Sequence, residues 1–143
     1  MSIVQPHLPG ASVVDLFAGS GALGLEALSR GATSAVFVEI APASLRTLGD
    51  NIDELRAQDV ATVRRADALR FVESLSTHAF DVAFADPPYG HGTAARLAQL
   101  WQTIPFARLL GVEHRSGEPM PPGGDSRRYG DTVVTLYRVA GSG

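Results

Sequence analysis

The chain has 143 residues, no cysteine, twelve basic and fifteen acidic side chains, for a formal net charge of −3. That length fits one domain spanning residues 1–143, and a composition 45% hydrophobic and 19% charged supplies a core and excludes an intrinsically disordered chain. Disulfides, thiolate zinc sites and cysteine nucleophiles are excluded; so is lysine chemistry, because every basic residue is arginine, and the acidic balance speaks against gripping nucleic acid by bulk charge. No apolar run approaches the ~20 residues of a membrane-spanning helix. Met1–Gly10 lacks the basic and apolar regions of a secretory leader, so the expectation is a cytoplasmic protein, and a monomer.

Ser12–Phe17 (SVVDLF) predicts a first strand, stopped by the glycines of Ala18-Gly19-Ser20-Gly21. Ala22–Arg30 predicts a helix with Leu23, Ala27 and Leu28 on one face and Gly31 just past its end. Ser34–Glu39 (SAVFVE) predicts the second strand. Pro42 then opens a helix whose Leu45, Leu48, Ile52 and Leu55 form an apolar stripe. A third strand over Val60–Arg65, a short helix over Ala68–Leu75 and a fourth strand over Phe80–Asp86 follow, the last stopped by Pro87-Pro88. Thr93–Trp101 is helical in composition, Leu109–His114 predicts a fifth strand, Arg115–Asp125 a loop, and Thr132–Val139 a final strand. Gly141-Ser142-Gly143 reads as a short flexible tail. Strands alternating with helices at this spacing predict an α/β fold with an open, mostly parallel sheet. The early strands are apolar enough to be covered on both faces, while the stronger alternation of the last strand suits antiparallel insertion.

Two constellations carry chemistry. The first is Gly19-x-Gly21-x-x-Gly24, placed between a strand and a helix, where glycines let backbone approach a ligand and the helix N-terminus favours it electrostatically. Glu39, about 20 residues on, suits the hydroxyls of a ribose. That much fits a nicotinamide dinucleotide as well as any other adenosyl ligand. Asp15, a carboxylate within an apolar strand, shifts the balance toward S-adenosylmethionine, whose amino-acid moiety needs an anchor; it could hold a charged amine or a loop. Asp67, just past the third strand, suits an adenine amino group or a helix N-cap. Asp15, Glu39 and Asp67 would end three neighbouring strands along one rim.

The second constellation is Asp86-Pro87-Pro88-Tyr89. Pro87 forces Asp86 out of helical conformation, giving a rigid ledge with a carboxylate, unclaimed carbonyls and an aromatic ring. That inventory suits a flat base with an exocyclic amino group: Asp86 and the Pro87 carbonyl accept its two N–H bonds, and Tyr89 stacks on the ring. His7, His78, His91 and His114 show no metal-ligand spacing and read as surface or loop residues; no metal site is expected. Trp101 reads as core, and Arg64-Arg65 and Arg127-Arg128 as solvated surface.

Taken together, Asp15–Ala32 (DLFAGSGALGLEALSRGA), Asp86–Tyr89 (DPPY), Gly111–His114 (GVEH) and Arg128–Thr132 (RYGDT) resemble the RsmD-type methyltransferases. The resemblance runs from about Ala11 to Val139. It implies a three-layer Rossmann-like class I methyltransferase fold with an antiparallel last strand. It also implies transfer of methyl from S-adenosylmethionine to the exocyclic N2 of a guanine in small-subunit ribosomal RNA. Asp15, Phe17, Gly19, Gly21, Gly24, Glu39, Asp67 and Ala68 would then bind the cofactor, and Asp86, Pro87, Pro88 and Tyr89 would hold the guanine. The family pattern further implies an N-terminal extension that helps bind RNA, and a helix between the fifth strand and RYGDT. Here Met1–Ala11 precede the first strand, and Arg115–Arg127 is rich in proline and glycine. The alternatives are a DNA adenine-N6 or cytosine-N4 methyltransferase, a nicotinamide oxidoreductase, and a cofactor-binding remnant without activity.

Overall fold

The computed structural model describes residues 4–140; the Gly141–Gly143 tail lies outside the described residues. Seven strands form one sheet: β1 (Ser12–Leu16), β2 (Ser34–Glu39), β3 (Ala61–Arg65), β4 (Phe80–Ala85), β5 (Ala107–Arg115), β6 (Asp125–Tyr129) and β7 (Thr132–Arg138). Their order is β3-β2-β1-β4-β5-β7-β6, with β1 to β5 parallel and β7 antiparallel to both of its neighbours. The four helices are α1 (Ala22–Ser29), α2 (Pro42–Glu54), α3 (Ala68–Glu73) and α4 (Thr93–Thr103), and a 3-10 turn at Gln5–His7 precedes β1.

Two apolar clusters show the layering. On one face Val13, Phe37, Val82, Phe84 and Leu109 pack against Leu25 and Ala27 of α1 and Leu48 and Ile52 of α2; Val4 and Leu8 join them. On the other face Val14, Leu16, Ala83 and Leu110 pack against Ala68 and Val72 of α3 and Leu97, Ala98 and Trp101 of α4. The sheet is therefore covered on both faces, which explains the near-continuous apolar character of β1 and β4. Trp101 is core as expected, with its indole N–H donating to the Ala107 carbonyl at 2.7 Å.

Several expectations need correction. Of the stripe on α2, Leu48 and Ile52 are buried, but Leu55 lies past the last turn, 62% exposed, because the helix ends before the stripe does. The deepest residues of α1 are Gly24, Leu25 and Ala27, with Leu23 and Leu28 half-buried. The segment before RYGDT is a loop only as far as Gly124. Asp125 opens β6, which hairpins onto β7 through Gly130-Asp131, with Gly130 at φ +65° as a tight two-residue hairpin requires. In place of a helix, the Ser116–Gly124 loop itself closes that face: Met120 packs on the core, Tyr137 Oη donates to the Pro121 carbonyl, and Gln102 Nε2 donates to that of Pro122, both at 2.8 Å. His114 is neither surface nor loop. It is buried on β5, with Nδ1 3.0 Å from the Arg115 carbonyl and Nε2 2.7 Å from Thr135 Oγ1, which in turn meets Ser126 Oγ at 2.8 Å.

Candidate active site at the carboxyl rim of the sheet

All the expected site residues lie at or just beyond the carboxyl ends of β1, β2, β3 and β4, the rim where open α/β sheets bind ligands. The turn from β1 to α1 is tight. Phe17 has φ +59° and packs back on the α3–α4 cluster, Gly19 has φ +57°, and Gly21, at φ +85°, caps α1. A left-handed conformation is unusual for a bulky residue such as Phe17 and marks a turn whose shape the surroundings dictate.

The three glycines have different reasons to be glycine. A Cβ on Gly24 would come within 2.4 Å of the Phe37 ring, and one on Gly21 within 2.4 Å of Leu48 Cδ1, so both let α1 sit close against β2 and α2. A Cβ on Gly19 would meet nothing within 4 Å; its open side faces away from the protein. Of the three, Gly19 alone leaves room for a ligand against the backbone.

Carboxylates fix this turn from beneath and from the side. Asp15, 1% exposed, accepts the Gly24 N–H at 2.9 Å, so of the two roles its position allows it takes the loop-holding one. Burial pushes its pKa up to about 7; the Gly24 bond pulls the other way, while Asp86 and Glu39 add repulsion. Glu39 Oε1 accepts the Gly19 N–H at 2.7 Å, and Oε2 accepts those of Ile40 and Ala41 at 2.8 Å each. Burial works against its charge, yet the amides of Ala41, Gly19 and Ile40 outweigh it and hold the carboxyl below the usual glutamate range. Three of about four lone-pair sites are thus engaged, leaving about one for an incoming hydroxyl.

At the end of β3, Asp67 caps α3, accepting the Arg70 N–H at 3.1 Å through Oδ2, and Ala68 behind it is buried. Ile40, next to Glu39, is 57% exposed and offers an apolar face on the same rim. Sequence reasoning passed over it, because one apolar residue after a strand carries no pattern.

The ledge after β4 is built differently. Pro87 is buried, while Asp86, Pro88 and Tyr89 face solvent. Burial of its surroundings raises the Asp86 pKa, and no ion pair among the described residues compensates it. The Arg115 guanidinium lies 5.1 Å from the centroid of the Tyr89 ring, over one face. Glu113, half-buried on β5, is also pushed up, first by burial and then by repulsion from Asp86, with the Tyr89 hydroxyl pulling the other way. The sequence signalled neither Arg115 nor Glu113 as functional: both belong to the site through strand pairing, a non-local fact. Among the described residues, no group of three or more His, Asp or Glu side chains is placed to hold a metal ion. Among the described residues, no helix is long and apolar enough to cross a membrane.

This rim can bind a ligand with hydroxyls over the glycine turn and present a second, amine-bearing ligand to it from the proline ledge. The chain is 32% identical over 151 residues to the YlbH protein of Bacillus subtilis, covering 98% of this chain and 82% of that one. It is 33% identical to the ribosomal RNA small subunit methyltransferase D of Haemophilus influenzae, covering 95% and 74%. A solved structure of a conserved protein from Streptococcus pyogenes superposes with a TM-score of 0.85 at 30% identity, covering 98% of this chain and 92% of that one. Residues 1–138 match the family described as Conserved hypothetical protein 95, and the chain belongs to that family, the RsmD-type one that its motifs resemble.

Proposed function

We propose that this chain methylates the exocyclic N2 amine of a guanine in small-subunit ribosomal RNA, with S-adenosylmethionine as the methyl donor. The observation that carries the reading is the adjacency of two structures on one rim: a glycine turn open at Gly19 and an uncompensated carboxylate at Asp86 on a proline ledge. The name of the Haemophilus influenzae relative supports the substrate class.

The residues present fit the donor. The space at Gly19 is one a Cβ would fill, Glu39 has acceptor capacity left, and Ile40 and Asp67 stand exposed on the same rim with Ala68 behind Asp67. Phe17 and Asp15 would act by shaping the turn. When bound, S-adenosylmethionine supplies a methyl carbon on a sulfonium sulfur, an electrophile that needs no covalent enzyme intermediate.

The chain's own residues deal with the amine. An aromatic amine is a weak nucleophile because its lone pair is delocalised into the ring. Acceptors at both N–H bonds, the Asp86 carboxylate and the Pro87 carbonyl, favour the localised form and orient it. Asp86, its pKa raised by burial, is also a better proton acceptor than an ordinary aspartate as the amine loses a proton. Tyr89 has one face occupied by Arg115 and presents the other to the base.

The test is transfer of labelled methyl to 30S particles, naked ribosomal RNA and DNA, with products identified as nucleosides. N2-methylguanosine from RNA is the expected product; label in DNA as N6-methyladenine or N4-methylcytosine would replace this reading. Calorimetry should show S-adenosylhomocysteine bound and NADH ignored. Asp86→Ala should keep that affinity and lose turnover by roughly a hundredfold, the scale of a lost hydrogen bond to a charged group together with its proton acceptance; methylation at the unmutated rate would remove Asp86 from the mechanism.

A further inference from the structure

From its place beside Asp86 we infer that Glu113 reads the guanine N1–H, and so decides which base the site accepts. The inference rests on the amino-methyltransferase reading above and adds to it the determinant of base identity.

Strand register brings the two carboxylates together. β4 and β5 run parallel with Phe84 opposite Gly111 and Ala85 opposite Val112. The pairing ends there, and Asp86 follows directly on Ala85 as Glu113 follows on Val112, which brings the two carboxylates to the same level of the rim on neighbouring segments. The alternation of β5 puts Glu113 on the face of Gly111, the α1 side, where Asp15 and Phe84 also lie, and the charge of Asp86 bears on both Asp15 and Glu113. Mutual repulsion between Asp86 and Glu113 is the electrostatic trace of that adjacency. Beneath Glu113 is a cavity of about 70 Å³ lined by Val4, Leu23, Phe84, Gly111 and Val134, so the carboxylate is the polar group at an otherwise apolar floor. Among the described residues no arginine or histidine pairs with it, and the Tyr89 hydroxyl lies beside it as a donor. Arg115, two residues on along the strand, lies over Tyr89 instead.

A second acceptor beside the first matches one base edge. Guanine presents N1–H next to the N2 amine, two donor positions in a row. Adenine presents N1, and cytosine N3, as a lone pair next to the amine. With Asp86 and the Pro87 carbonyl on the N2 hydrogens, Glu113 accepts N1–H from guanine, but faces a lone pair if the base is adenine or cytosine. A site built to receive a hydrogen bond rejects a ligand that cannot supply it far more strongly than a hydrophobic pocket rejects a misfit. Glu113 is thus a specificity residue at the edge of the base, and the feature that separates this ledge from one suited to adenine N6 or cytosine N4.

The experiment uses unmodified small-subunit ribosomal RNA, naked and in 30S particles, with wild-type protein, Glu113→Ala and Glu113→Gln. Products are quantified as nucleosides, and S-adenosylhomocysteine affinity is measured in parallel. Glu113→Ala should lose roughly a hundredfold in kcat/KM for N2-methylguanosine with cofactor affinity within about twofold of wild type. Glu113→Gln keeps an acceptor oxygen and should recover activity to within about tenfold of wild type. Full activity in Glu113→Ala would overturn the inference, as would loss of cofactor affinity in that variant or failure of glutamine to rescue it. A wild-type protein that makes no N2-methylguanosine would instead overturn the reading on which the inference rests.

Discussion

On β1 and β2 the rim carboxylates are already engaged: Asp15 holds the Gly24 amide, and Glu39 holds those of Gly19, Ile40 and Ala41. On β4 and β5 they are not. Asp86 and Glu113 form no ion pair among the described residues, repel one another, and are both pushed up by burial. The β1 and β2 half of the rim is wired into its shape by the backbone. On the β4 and β5 half no backbone amide or ion pair holds the carboxylates, and under the proposed function a donor-rich base edge would complete them. The same residue type therefore anchors backbone amides on one side of the site and none on the other, and substitutions there should split accordingly.

The largest expected effect comes from Asp15, the one engaged carboxylate that is also fully buried. Its folded pKa of about 7 exceeds the unfolded 3.8, so the native state binds the extra proton between those values and stability falls as pH rises through that window. The change is on the order of 4 kcal/mol for a shift of this size, flat below pH 4 and above pH 7. Glu39, with its pKa lowered, contributes in the opposite sense, and its stability is lost only as pH falls below the usual glutamate value. Denaturant unfolding of wild type and Asp15→Asn from pH 4 to 7 measures this. The asparagine variant, which keeps an acceptor for Gly24, should show a much flatter profile. Equal slopes would mean that Asp15 is already ionised throughout that window.

Within the same half, the glycines sharpen the distinction between holding the turn and receiving a ligand. Gly24→Ala drives a methyl into the buried Phe37 ring and should cost about 1–3 kcal/mol of stability by overpacking. Gly19→Ala has space, so it should cost only the roughly 1 kcal/mol of a left-handed alanine, while S-adenosylhomocysteine affinity falls by at least about tenfold because the methyl occupies the cradle. Thermal melts and calorimetry on both variants separate the two; a Gly19→Ala protein with full affinity would mean the ligand does not approach that backbone.

These contrasts also explain what could be read in the sequence. β1, β2 and β4 were legible because each is a short apolar run with glycine or proline within three residues of its end, and because Glu39 and Asp86 stand at the stops themselves. The roles of those carboxylates were legible only as options, since Asp15 can hold an amine or a loop until the fold brings Gly24 to it. β6 was hidden because its five residues are all exposed and polar, and its identity as a strand comes from pairing with β7. His114 read as surface because the partners that make its burial tolerable, Thr135 and Ser126, lie on other strands. Glu113 was quoted within a motif but given no task, since its neighbour Asp86 reaches it only through the register of β4 and β5.

The smallest expected effect is the one that tests the β4 and β5 half most directly. Asp86→Asn removes a carboxylate that burial disfavours and that also repels Glu113 and Asp15. Since Asp86 is largely exposed and anchors no backbone amide, its replacement should move neutral-pH stability by no more than about 0.5 kcal/mol, and toward greater stability rather than less. The raised pKa gives the sign: the native state holds its proton more tightly than the unfolded chain, so ionisation at neutral pH counts against the fold, and asparagine escapes that cost. Turnover should nevertheless fall, because an amide oxygen accepts a hydrogen bond but takes no proton. A melting temperature unchanged or raised beside a turnover reduced at least about tenfold would identify Asp86 as a group kept for chemistry at the expense of stability. A clear drop in melting temperature would place it with Glu39, whose charged form the fold favours, and erase the difference between the two.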